Sequence, residues 1–133
     1  MIPGRSAARA WLLAMAAAAC ASHATAPQTG PLSGAWAGPE ASLTVDAEGA
    51  RVELVCADGR IDGPIEMDEE GRFLATGPWW PGPVPPNDDL RARYEGRAFD
   101  GRLELTIVAE PDDRTYGPLE LVRDRAPTFP RCQ

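Results

Sequence analysis

From Ser42 to Leu121 apolar side chains recur at every second position, in short runs separated by acidic-glycine pairs. A period of two is the repeat of a pleated strand and sends neighbouring side chains to opposite faces. Leu43 and Val45 share one phase, with Ser42, Thr44 and Asp46 in the other, and Glu48-Gly49 turns the chain. Val52, Leu54 and Cys56 then alternate with Arg51, Glu53 and Val55, and Asp58-Gly59 is a strong hairpin signal. Ile61, Gly63, Ile65 and Met67 continue as far as Glu70-Gly71, with a bulge or an edge at Pro64, which has no N–H for a ladder. Phe73 to Thr76 make a fourth, shorter strand.

The pattern resumes with Ala92, Tyr94, Gly96 and Ala98 against Arg91, Arg93, Glu95 and Arg97, and Asp100-Gly101 is the second clean hairpin turn. Leu103, Leu105 and Ile107 form the next strand, Pro111-Asp112-Asp113 ends it, and Leu119 and Leu121 belong to a last strand beginning near Thr115. No apolar 3.6-residue period long enough for a helix occurs beyond the first two dozen residues. Seven or so strands joined by tight turns predict an all-β meander. It closes into a small antiparallel barrel or, as the alternative, folds into a two-sheet sandwich. The phase predicts one interior shared by Val52, Leu54, Ile65, Phe73, Leu103, Leu105, Ile107 and Leu121, with Tyr94 in the core.

Two segments break the alternation. Residues 25–33 are polar and proline-containing and are expected to form a flexible tether ahead of a single β domain over 34–133. Gly77 to Asp89 (GPWWPGPVPPNDD) holds five prolines and adjacent tryptophans, so it is expected as a long loop with polyproline character.

The first 24 residues read as an export signal. Arg5 and Arg9 precede a short apolar run containing Trp11, Leu12, Leu13 and Met15, and small residues follow. The run is too short to span a bilayer. Two processing routes stay open: cleavage after Ala24, or acylation of Cys20 in Ala17-Ala18-Ala19-Cys20, which is similar to a bacterial lipobox with Ala17 where a larger aliphatic residue is usual. Either route predicts a periplasmic, outer-membrane-anchored or secreted protein.

Export leaves Cys56 and Cys132 as a pair in an oxidising compartment, where a structural disulfide is expected. Closing so long a loop would destabilise the unfolded chain by roughly 4.5 kcal/mol, a large share of the stability of a domain of about a hundred residues. Two free thiols or a metal pair is the weaker reading, because no third or fourth soft ligand accompanies them.

The exported part carries eleven arginines against twenty carboxylates, a net charge of −9, and contains neither lysine nor histidine, since His23 lies in the signal. So acidic a chain is a poor partner for nucleic acid, and its contact with a membrane would be through a lipid on Cys20. Ser-His-Asp, Cys-His, Ser-Lys and Schiff-base chemistry all lack a residue. A carboxylate pair acting as acid and base is the remaining catalytic option, and nearly every Asp and Glu falls at a turn or on a polar strand phase. Asp68-Glu69-Glu70 and Asp112-Asp113 could offer oxygens to calcium but supply too few ligands, so neither metal nor cofactor is expected. Arg91, Arg93 and Arg97 form an outward row that Glu104 and neighbouring carboxylates can pair.

Two resemblances add to this reading. Gly34-Ala35-Trp36 is similar to the Gly-x-Trp that opens lipocalin-like barrels, which implies an arginine, Arg123 or Arg125, lying over the Trp36 ring. Trp36, Cys56-Ala57-Asp58-Gly59, Gly71-Arg72-Phe73, Ala92-Arg93-Tyr94-Glu95-Gly96 and Arg131-Cys132 together resemble a family of small exported bacterial proteins of unknown function. That resemblance supports the disulfide and the all-β fold and implies no activity.

Trp79 and Trp80 are the candidate binding residues. Adjacent indoles on a proline-rich segment could stack on a glycan, hold a small ligand or anchor an envelope protein; the plainer alternative is that both rings plug the open end of the barrel. The expected function is a non-enzymatic exported binding module, and the alternative is a structural or inhibitor-like envelope protein acting through protein contact.

Overall fold

The computed structural model describes residues 26–82 and 90–132. Ten strands follow one another: β1 Gly30–Pro31, β2 Gly34–Ala37, β3 Ala41–Asp46, β4 Gly49–Leu54, β5 Ala57–Asp62, β6 Glu66–Met67, β7 Arg72–Pro81, β8 Arg91–Phe99, β9 Arg102–Ala109 and β10 Arg114–Arg123. Eight of them close an antiparallel barrel in the order β10-β2-β3-β4-β5-β7-β8-β9, while β1 and β6 pair separately. The chain is therefore all-β and a barrel rather than a sandwich. Asp100 and Gly101 both take positive φ at the β8–β9 hairpin, as a two-residue primed turn requires.

The interior is the one the alternation implies. Val52, Leu54, Ile65, Phe73, Leu103, Leu105, Ile107 and Leu121 are all buried in a single cluster, with Trp36, Trp79 and Tyr94 its largest members. Trp36 donates from Nε1 to the Ser33 carbonyl at 3.1 Å, and the Arg123 guanidinium lies 5.6 Å from its ring centroid. Arg123, not Arg125, covers the ring. Arg97 stands opposite Glu104 in the ladder, and Arg91 and Arg93 reach Asp62 and Glu95.

Four sequence expectations are corrected. Asp58-Gly59 is not a hairpin: the chain bends at Val55–Cys56, and both residues lie inside β5 opposite Glu53 and Val52. Gly59 answers a packing demand, because a Cβ there would collide with the Tyr94 hydroxyl and the Trp79 ring. Ile61 to Met67 is not one strand, since β5 ends at Asp62 and Gly63-Pro64 redirects the chain toward β6.

The expected tether is ordered from Pro27, which bridges Phe99. Gln28 N–H donates to the Ala98 carbonyl, Gly30–Pro31 pairs with Glu66–Met67, and Leu32 is buried with its N–H on the Ile65 carbonyl. Leu32, Ile65 and Met67 thereby close one end of the barrel.

Nor is Gly77–Pro81 part of a loop. It continues β7, pairing through Pro78 with β8 and from Trp79 with β5. Pro78 and Pro81 sit where one of the two ladders is missing, so their lack of an N–H costs no hydrogen bond there. Residues 83–89 of the expected loop, and the expected signal with Cys20, lie outside the described residues.

Cys56 and Cys132 are bonded, with Cα atoms 5.0 Å apart and a sequence separation of 76. The segment after β10 starts beside β2, where Asp124 N–H donates to the Ala35 carbonyl. It ends at the β4–β5 bend, where Cys132 N–H donates to the Val55 carbonyl and Arg131 holds the Leu54 carbonyl and the Asp58 carboxylate. It is a strap across the outside of the barrel, pinned at both ends. Replacing both cysteines by serine is expected to cost about 2–4 kcal/mol in urea unfolding; a change below about 0.5 kcal/mol would mean that the strap does not restrain the unfolded chain.

Candidate functional site

A β-strand sends adjacent side chains to opposite faces, and this separates the two candidate tryptophans. Trp79 points inward and is 1% exposed, whereas Trp80 is half-buried on the outer face. They form no shared platform. The Trp79 ring packs against Tyr94, centroids 6.5 Å apart and planes 60° tilted, and against Tyr116 at 5.2 Å and 47°. Tilted pairs of this kind are worth about 0.5–1.5 kcal/mol each beyond the area they bury.

Tyr94 is buried beneath this stack. Its hydroxyl donates to the Pro78 carbonyl at 3.0 Å. Burial holds the hydroxyl well above the usual tyrosine range, with the backbone of Arg60 and the charge of Arg91 pulling weakly the other way. Gly59 and Gly96 leave room for Trp79, Tyr94 and Phe73, so aromatic side chains occupy the middle of the barrel.

Space for a ligand lies instead at the end opposite Leu32, Ile65 and Met67. There the first half of β10 stands away from the β4–β5 bend, and a cup of about 700 Å³ opens between them. Leu54, Ala57, Tyr116 and Leu119 supply its apolar surface, Pro81 closes one side, and Glu40 and Arg114 stand at the lip. Tyr116 is half-buried, backed by Trp79 beneath, with the Arg114 guanidinium 5.2 Å from its centroid. The disulfide stiffens one wall, because Cys56 belongs to the lining. An apolar floor with a few polar groups at the rim is the ordinary build of a small-ligand site.

A second, larger concavity of about 970 Å³ runs over the outside of β3, β4 and β5, bordered by Trp80 and by Pro127 of the strap. Its charged side chains pair mainly with one another: Arg51 with Glu53, Arg60 with Asp62, and Arg131 with Glu53 and Asp58. Arg60 also lies 5.9 Å from the Trp80 ring centroid, and the buried Trp80 Nε1 has no hydrogen-bond partner among the described residues.

Cup residues Glu40, Arg114 and Tyr116 were not legible as a site in the sequence. The available signal was Tyr116-Gly117-Pro118 interrupting the final strand, where the register with β9 shifts between Tyr116 and Leu119. The acidic clusters are occupied locally: Asp68 accepts from the amides of Glu70 and Arg72, and Asp46 from those of Glu48 and Gly49. Among the described residues, no carboxylate is buried and no group of three or more His, Cys, Asp or Glu is placed to hold a metal ion. Comparison with protein families, with curated proteins and with solved structures found no match.

Two outcomes follow for the aromatic stack. Trp79→Ala should cost about 3–5 kcal/mol, as large core truncations do, and Trp80→Ala about 1 kcal/mol, as a ring half left in water implies; similar losses on denaturant unfolding would mean that the faces are misassigned. Tyr94 makes stability pH-dependent on the alkaline side. A hydroxyl whose folded pKa is raised contributes stability that is fully present below the unfolded value and lost as pH climbs above about 10. Tyr94→Phe should flatten that alkaline slope, read by thermal melts from neutral pH upward, in a chain with no lysine to titrate alongside. An unchanged slope would show that Tyr94 is not its source.

Proposed function

We propose that this chain is a non-enzymatic exported envelope protein, a small binding module whose site is the cup at the barrel mouth. The observation that carries this reading is an aromatic-floored concavity whose lip charges make no ion pair among the described residues, set on a barrel whose interior is already filled. In this reading Trp79 supports the floor through Tyr116 and does not itself touch the ligand. Trp80 belongs to the outer groove, whose half-buried indole favours the second reading, an envelope protein acting through protein contact.

Export is supported by the leader pattern, by the Cys56–Cys132 disulfide and by the resemblance to small exported bacterial proteins. The non-enzymatic reading is supported by an exported part without histidine or lysine. Lipid on Cys20 would anchor the module to a membrane, and cleavage after Ala24 would release it.

The neutral apolar dye Nile red tests the site. Its fluorescence should rise on the folded protein, and Tyr116→Ala should weaken its binding more than about tenfold, the scale of losing one aromatic anchor. Trp80→Ala should leave it unchanged. Dye binding that survives Tyr116→Ala and is lost with Trp80→Ala would move the site to the outer groove and favour the second reading.

A further inference from the structure

Where β10 forms the wall of the cup, one edge of the strand is unpaired among the described residues. β10 pairs with β9 from Arg114 to Val122 but with β2 only at Val122 and Arg123. Gly38 packs so tightly on the Glu120 carbonyl that a Cβ would collide with it, which covers that end of the edge. From Arg114 to Leu119 the β10 backbone has no ladder partner on its cup side among the described residues, and all six of these residues line the cup. Pro118 has no N–H and the register slips beside it, so the usable edge is Arg114 to Tyr116, about 10 Å of strand. An edge that short suits a few residues of extended chain and is too brief for edge-to-edge association of whole sheets.

The lip charges define what such a segment carries. Arg114 and Glu40 face the same cup, and neither takes part in an ion pair among the described residues; Arg97, Arg102, Arg123 and Arg125 make none there either, but they do not line the cup. Two opposite charges on one apolar cup complement a ligand with both an anionic and a cationic group. In a domain of net charge −9, a neutral zwitterion is also repelled less than a net anion.

We propose that the cup binds a short peptide with free termini. Its backbone adds to the Arg114–Tyr116 edge, an apolar side chain rests on Tyr116 and Leu54, its carboxylate meets Arg114 and its ammonium faces Glu40. Main-chain pairing at a strand edge with a side-chain pocket beside it is a general mode of peptide recognition. The assignment rests on the reading of the cup as the binding site and specifies its ligand class.

Calorimetric titration of the disulfide-bonded protein with the tripeptide Ala-Leu-Phe, its N-acetyl form and its C-terminal amide tests this. The free tripeptide should bind, and each blocked form should bind about tenfold more weakly, the effect of losing one charge-assisted hydrogen bond. Arg114→Gln should abolish the difference between acid and amide, and Glu40→Gln that between amine and acetyl, both with unchanged thermal melts because both side chains are exposed. Binding indifferent to both blocking groups, or no peptide binding while Nile red still binds, would overturn the peptide assignment and leave the cup as a site. Failure of both probes on the folded protein would overturn the cup itself.

Discussion

Inside the barrel the Trp79 indole lies between Tyr94 and Tyr116, in a space that exists because residue 59 has no side chain. An interior packed to the density of a protein core has no room for a ligand. Eight-stranded barrels stand at the size where the interior is either filled by side chains or holds one small molecule, and here three aromatic residues decide for the first. Tyr94 belongs to the same arrangement, since its hydroxyl satisfies the carbonyl of Pro78, one residue before the indole it supports. Whatever this domain recognises must meet it at an end or on an outer face.

The two ends differ because the chain treats them differently. At one, β1 and β6 bring Leu32, Ile65 and Met67 across the opening. At the other, β10 runs past the short strand β2, so the closing seam is zipped by two residue pairs and then parts. A single geometric fact, a ten-residue strand beside a four-residue one, produces both the unpaired edge and the cup next to it. Arg114 and Pro118 on that edge are the devices by which exposed strands resist indiscriminate pairing. The disulfide and the strap hold the opposite wall, so the width of the cup is set by covalent structure on one side and by the β9 ladder on the other.

Electrostatics on this surface are mostly local. Aspartates at the turns cap backbone amides, and arginines along the strands pair mostly with carboxylates two residues along the same strand. Exposed pairs of this sort add little stability. What they do is leave Arg114 and Glu40 conspicuous as charges that face a concavity without an ion-pair partner among the described residues.

By itself the sequence determined the all-β class of fold, the membership of the core and the disulfide, and it narrowed the partner of the Trp36 ring to Arg123 or Arg125. Period-two alternation depends only on the pleat, and the expected cysteine pairing rested on reading Cys20 as part of a leader, which leaves two cysteines in the domain. It misdirected wherever one residue type serves two physical ends. Gly59 reads as a turn residue and is a packing vacancy; Pro78 and Pro81 read as strand breakers and lie where a ladder is missing; Gly30 and Pro31 read as tether and pair with β6. The fate of Trp79 and Trp80 turned on whether residues 77–81 are strand or loop, since a strand sends one indole inward and its neighbour outward. Only the tertiary structure decided that, together with the cup of Glu40, Leu54, Arg114 and Tyr116. Those residues are far apart in the chain, and they meet because the barrel closes by bringing β10 against β2, a property of the whole set of strands that no local spacing encodes.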